Sequence, residues 1–260
     1  MTILSYLTDL SSSITIPEWE RVSIDKSIKT ISTKLKNHFD NIDEKFVFGS
    51  FDRRTILRRS KDTDSDVDYI VSFKDGSDWM PQTMMNRLKK FAEDNYSNNE
   101  IYQSFPTIVL ELSHIKFELV PAYQDSTIFN TIYIPAPSSS YSSWVATYPH
   151  SMKSNLNEKN SNNNYQIRKL VRLIKYLNVI NSKIYSSYEL EKYIVEKFYF
   201  SCNNLKDYFF DAIEEMPISS LPSYKESKVI KIQKIASEAK QLELDGYPYS
   251  AESKIKELFT

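Results

Sequence analysis

Two aspartates separated by a single valine open the most informative segment of the chain. In FGSFDRRTILRRSKDTDSDVDYIV (residues 48–71), Asp66 and Asp68 stand where a polar run gives way to the apolar stretch VDYIVSF. Side chains two apart on a strand point to the same face, so both carboxylates converge on one spot. Carboxylates held that close repel, and a shared divalent cation is the usual remedy. A third acid is expected from a neighbouring strand, and Glu118 of FELV is the candidate. Alternation sets Lys116 and Glu118 on one face of that strand, Phe117 and Leu119 on the other. Glu111, in TIVLEL, is its rival. Upstream, Gly49 and Ser50 end the apolar run FVFGS. A glycine there lets the backbone approach a ligand, and the serine offers a hydroxyl and an amide to a phosphate. Singly, an acidic run reads as a solvated loop and Gly-Ser as a plain turn. Together, Gly-Ser, a gap, Asp-x-Asp opening an apolar strand and a later strand acid point to two-metal phosphoryl or nucleotidyl transfer.

A second set of groups lies further along. Arg168, Arg172 and Lys175 recur at i, i+4 and i+7, one stripe of a helix beside the apolar face Ile167, Leu170, Val171 and Ile174. Alone, such a stripe is a solvated face; opposite a metal site it reads as a phosphate grip. Ser186 with Glu189 three residues on is a capping box, and a helix N-terminus so formed favours phosphate. Asp62 and Asp64 belong to the loop approaching Asp66, where either can cap a turn. Arg53 and Arg54 read as surface charge, and Thr55 as support for the Gly-Ser loop. His114 is expected in a hairpin turn and His150 in a loop, neither with a catalytic role. Cys202 reads as an inert, buried or half-buried thiol.

The elements that must position these groups are those of a soluble α+β protein. The chain has 260 residues, 33 Lys+Arg against 34 Asp+Glu, three Gly and one Cys. Three glycines exclude a P-loop and a GxGxxG fingerprint, and a lone cysteine excludes a disulfide framework. The N-terminus lacks the features of a signal peptide, and no apolar run approaches a membrane span, so a cytoplasmic location without membrane association is expected. Balanced charge gives no strong sign of duplex-DNA binding.

From Pro17, Ile24, Ile28, Ile31, Leu35 and Phe39 mark the buried face of a helix. Strands are predicted at 46–50, 67–73, 107–112 and 115–120, the last two as an antiparallel hairpin, and a helix at 82–96. After Pro121 the chain reads as irregular, and residues 151–164 as a polar, flexible connection. Helices are predicted at 165–181, 186–200, 204–215, 225–244 and 249–259. The division expected is 1–150, a catalytic core with an N-terminal helix, and 151–260, a helical domain.

FGSFDRRT, SDVDYIV and FELVPA resemble the signature of polymerase-β-like nucleotidyltransferases, and within them that of the bacterial cGAS/DncV-like enzymes, the SMODS group or CD-NTases. RKLVRLIKYLN (168–178), SSYELEKYIVEKF (186–198) and the tail IASEAKQLELDGYPYSAESKIKELF resemble the second-domain segments of that group, so the resemblance spans most of residues 45–259. It implies a mixed sheet with flanking helices followed by a helical lobe, with the active site in the cleft between them. It further implies that Asp66, Asp68 and Glu118 hold two Mg²⁺ or Mn²⁺ ions. Glu118 is preferred to Glu111 because FELVPA carries the motif and TIVLELS does not; aspartate is the more usual residue at that place. Gly49 and Ser50 would cradle phosphates, Arg172 and Lys175 would contact the triphosphate, Ser187 would bind phosphate and Tyr188 would stack on a base.

The activity implied is synthesis of a cyclic di- or oligonucleotide second messenger from nucleoside triphosphates, ATP among them, for a downstream effector in antiphage signalling. Two other functions share the motif. One is transfer of nucleotides to tRNA 3′ ends or to a protein, for which net charge −1 offers no broad basic surface. The other is a non-catalytic nucleotide or RNA binder, which the presence of all three acids disfavours.

Overall fold

The computed structural model describes residues 2–125, 131–136 and 143–260. The chain divides into two compact units, residues 16–153 and residues 1–15 with 154–260. The expected division at 150/151 differs most at the N-terminus. There α1 (Ile3–Ser13), opened by a capping box between Thr2 and Ser5, belongs with the C-terminal helices.

The unit of residues 16–153 begins with α2 (Glu18–His38), which buries Ile24, Ile31 and Leu35 on the predicted face. Then follow β1 (Ile42–Val47), the single-turn helix α3 (Gly49–Asp52), β2 (Asp66–Phe73) and α4 (Pro81–Asn95). Pro81 at the first turn suits α4, whose Met84, Met85, Leu88 and Phe91 are fully buried. The sheet continues with β3 (Glu100–Ser104), β4 (Thr107–Glu111), β5 (Lys116–Asp125), β6 (Thr131–Pro135) and β7 (Trp144–Thr147). The order is β1-β2-β5-β4-β3, with β6 pairing the end of β5 and then β7. Only the β2–β5 pairing is parallel among the described strands, so the sheet is mixed and the α+β expectation holds.

The alternation of the strands sorts the two faces. Val67, Tyr69, Val71 and Phe73 of β2, with Phe117 and Leu119 of β5 and Ile108 and Leu110 of β4, form one core with α2 and α4. A smaller cluster, Ile70, Val120, Ala122 and Ile132, lies on the other face beside Phe46, Phe48 and Ile134.

Where irregular chain was expected after Pro121, β5 runs on to Asp125 and β6 and β7 follow; residues 126–130 and 137–142 lie outside the described residues. The polar run expected to be a flexible connection is instead α5 (Pro149–Asn162). Its order rests on two positions one turn apart. Leu156 is fully buried, and Asn160, also buried, accepts the Arg168 amide at 3.0 Å. His150 therefore lies in a helix rather than a loop, its ring stacked on Phe46 at 5.0 Å.

The other unit is helical as predicted: α6 (Ile167–Ile180), α7 (Ser187–Glu196), α8 (Leu205–Glu214), α9 (Ser223–Leu244) and α10 (Pro248–Lys256), with a short 3₁₀ turn over Glu257–Phe259. α1 packs on α6, α8 and α10, burying Ile3 and Leu7, and the Phe259 ring meets Tyr6, Tyr176 and Phe209. Among the described residues, no helix is long and apolar enough to cross a membrane.

Candidate active site

Asp66 and Asp68 are the first and third residues of β2, facing away from the core that takes Val67 and Tyr69. Parallel pairing sets Asp66 against Lys116 and Asp68 against Glu118. The two aspartates and Glu118 therefore share one face of adjacent strands, as the alternation of each strand predicts; their pairing register comes only from the fold. The Thr107 hydroxyl donates to Glu118 Oε2 at 3.4 Å from β4.

Gly49 closes the site from above. Its φ of +68° lies in the left-handed region, and a Cβ there would stand 1.7 Å from Asp68 Oδ2. No residue but glycine fits against that carboxylate. The turn is held on both sides. The Phe48 amide donates to the Asp68 carbonyl at 3.0 Å, and the Thr55 and Ile56 amides donate to the Ser50 carbonyl at 2.9 and 3.1 Å. Phe51 anchors α3 in the core with Ile56, and Thr55 is fully buried, in keeping with its supporting role. Arg53, expected at the surface, is buried, whereas Arg54 is exposed. The Asp62 carboxylate accepts the Asp64 amide at 3.2 Å and so caps the approach turn.

Glu111 shares the face of Glu118 and stands in register with Lys116 from the other side. It is engaged elsewhere: Arg59 Nη2 lies 3.1 Å from its Oε2, and the Tyr102 hydroxyl donates to its Oε1 at 3.4 Å. Arg59 also donates to the Leu112 carbonyl, and its amide to Glu20, tying the approach loop to β4 and α2. His114 lies in the β4–β5 turn as predicted, 3.1 Å from Ser27 Oγ of α2. Burial, and then the Arg59 charge, lower its pKa.

Alternation along β5 shows Lys116 only as a neighbour of Glu118 on its strand. Its Nζ lies 3.4 Å from Glu118 Oε1 and 3.8 Å from Asp66 Oδ2, with a side chain only 14% exposed. Burial works against its charge, yet Asp66 and Glu118 outweigh it and raise the ammonium pKa. Three carboxylates on one face are the hard oxygen donor set of Mg²⁺ or Mn²⁺. Among the described residues, no group of three His, Cys, Asp or Glu side chains converges as metal ligands stand.

The remaining candidates belong to the helical unit. Lys175 is 5% exposed, so the basic stripe of α6 is not a solvated face. Burial, then the neighbouring Arg168, lower the Arg172 pKa to about 10. The Ser186–Glu189 capping box is present: Ser186 Oγ accepts the Glu189 amide at 3.2 Å, and Glu189 accepts the Ser186 amide at 2.9 Å. Ser187 is exposed at the first position of α7, and Tyr188 beside it is 57% exposed. Burial pushes the Cys202 thiol up to about 11, as befits an inert cysteine.

A family profile described as Second Messenger Oligonucleotide or Dinucleotide Synthetase domain (SMODS) matches residues 1–160. Similar solved structures share the fold at low identity. CdnC of E. coli MS115-1 with ATP has 12% identity and a TM-score of 0.73, with 99% of this chain and 96% of that chain covered. The Bradyrhizobium diazoefficiens CD-NTase CdnG in complex with GTP has 10% identity and a TM-score of 0.72, with 98% of each chain covered. The Vibrio cholerae cyclic AMP-GMP synthase DncV has 14% identity and a TM-score of 0.61, with 83% of this chain and 68% of that chain covered. None of the curated proteins matches. With a profile match over more than half its length and the CD-NTase fold in both units, the chain belongs to the SMODS family of second-messenger oligonucleotide or dinucleotide synthetases.

Proposed function

We propose that this protein is a metal-dependent nucleotidyltransferase that joins nucleoside triphosphates, ATP among them, into a cyclic di- or oligonucleotide. The observation that carries the reading is the register of β2 against β5, which sets Asp68 beside Glu118 and both beside Asp66 under Gly49. Asp66, Asp68 and Glu118 hold the metal. Bound there, Mg²⁺ or Mn²⁺ supplies activation of an acceptor hydroxyl and neutralises the departing pyrophosphate. The backbone at Gly49 and the Ser50 hydroxyl meet the phosphates at the site's edge. Arg172, Lys175 and Ser187 provide the phosphate contacts of the helical unit, and Tyr188 offers an exposed ring for a base. Holding donor and acceptor together converts a bimolecular encounter into an oriented one. Residues 16–153 carry the chemistry, and the helical residues supply binding. We place the enzyme in the cytoplasm, its product activating an effector in antiphage defence.

The test is incubation of purified protein with four radiolabelled nucleoside triphosphates and Mg²⁺ or Mn²⁺, beside an Asp66→Asn/Asp68→Asn control. A small phosphatase-resistant product, absent from the control, is expected. Label found only on added tRNA or protein would overturn the synthase reading in favour of macromolecular transfer. Nucleotide binding without pyrophosphate release, indifferent to Asp68→Asn, would reduce the protein to a binder.

A further inference from the structure

Lys116 stands where the proposed activity has no use for a cation of the protein's own. Asp66, Asp68 and Glu118 bring three negative charges to adjacent positions of β2 and β5, and like charges so placed repel. Two other cations of this unit are paired with other carboxylates: Arg59 lies against Glu111, and Lys153 lies 2.7 Å from Asp52. Lys116 sits inside the group, in register with Asp66 and two residues before Glu118, its ammonium bridging the two carboxylates at 3.8 and 3.4 Å. Its side chain is largely withdrawn from water, so this is not a lysine swinging freely at the surface.

From this arrangement we infer that Lys116 is a built-in counter-cation, which occupies the Asp66–Glu118 side of the site in the metal-free protein and must be displaced when a divalent ion binds there. The inference rests on the proposed metal site and deepens it. A compact ammonium on a flexible stem suits the task, since it neutralises without the fixed planar fork that would make an arginine hard to remove. A displaced ammonium has a destination close by. Glu111 faces Lys116 from β4, on the side of β5 away from Asp66. The site thus keeps its carboxylates compensated at all times, at the expense of metal affinity.

The experiment measures Mn²⁺ binding by calorimetry and electron paramagnetic resonance, with no nucleotide present. It compares the wild type with Lys116→Met, Lys116→Arg and Asp66→Asn/Asp68→Asn. Lys116→Met is expected to bind Mn²⁺ about tenfold more tightly, the scale on which close neighbours of a metal site tune affinity. Its metal-free melting temperature is expected to fall, with a larger rise on adding Mn²⁺ than the wild type shows. Lys116→Arg is expected to stay near or below wild-type affinity. Unchanged or weaker Mn²⁺ binding by Lys116→Met, with binding still lost in the double aspartate variant, would overturn the counter-cation role and leave the metal site standing. Wild-type Mn²⁺ binding by the double aspartate variant would instead overturn the metal-site reading itself. Should Lys116→Met fail to fold, lysine acylation of the wild type read by mass spectrometry decides. Labelling of Lys116 is expected to rise on adding Mn²⁺, and unchanged labelling would overturn the inference.

Discussion

The two faces of the central sheet are built from the same strands and do opposite work. Toward α2 and α4, β2 presents Val67, Tyr69, Val71 and Phe73, and β5 presents Phe117 and Leu119, all closed to solvent. Toward the other side the same strands begin with Asp66, Asp68, Lys116 and Glu118, then turn apolar at Ile70, Val120 and Ala122. Shifting one residue along the first half of either strand exchanges the core face for the charged one. The acids are thus carried by strands whose intervening residues are closed to solvent, and their charges stay at the partly open ends of β2 and β5.

That contrast can be broken from either side. Phe117→Ala empties part of the core between Glu118's strand and the helices and should cost about 3–5 kcal/mol, read as a lowered denaturant midpoint. Next, Asp66→Asn/Asp68→Asn should leave the midpoint nearly unchanged while turnover falls more than about a hundredfold, close to 3 kcal/mol of activation free energy. Equal losses of stability in both variants would erase the division between faces. Gly49→Ala touches both functions. Its left-handed backbone should cost about 1–2 kcal/mol of stability. The added methyl group displaces the Asp68 carboxylate, so turnover should fall further than stability alone accounts for. Smallest of all, Glu111→Gln removes a half-buried partner of Arg59. It should cost less than about 1 kcal/mol and leave turnover within a few-fold, whereas Glu118→Gln should behave like the aspartate pair. If Glu111→Gln were the inactive one of the two, the assignment of the third acid would move to it.

Much of this architecture is legible in the amino-acid sequence. β2, α4 and the helices from α6 to α10 announce themselves by period, because their apolar residues fall on one face each. Asp66, Asp68 and Glu118 can be set on common faces by alternation alone. What alternation does not contain is register: that Asp68 meets Glu118 follows from the parallel pairing of two strands far apart in sequence. The same gap hides Lys116, whose face can be read from its strand while its partner across the sheet cannot. α5 escapes a reading by period because its order depends on Leu156 and the Asn160 side chain, not on a repeating apolar stripe. β3 escapes because its five residues alternate between exposed and half-exposed, with little hydrophobic signal. Arg53 reads as surface charge in any composition-based view, and only the packed turn around Thr55 takes it inside.

The membership of α1 in the helical unit bears on how the chain is made. A ribosome releases Ile3 and Leu7 before residues 16–153, yet the helices they pack on, α6, α8 and α10, emerge only after them. The sheet unit is continuous in sequence and has its partners to hand as it appears. α1 must wait, its apolar side uncovered, until those helices have emerged and the ring of Phe259 can meet Tyr6. Domains generally fold as units during synthesis, and here a helix translated before the sheet unit finds its place only after it.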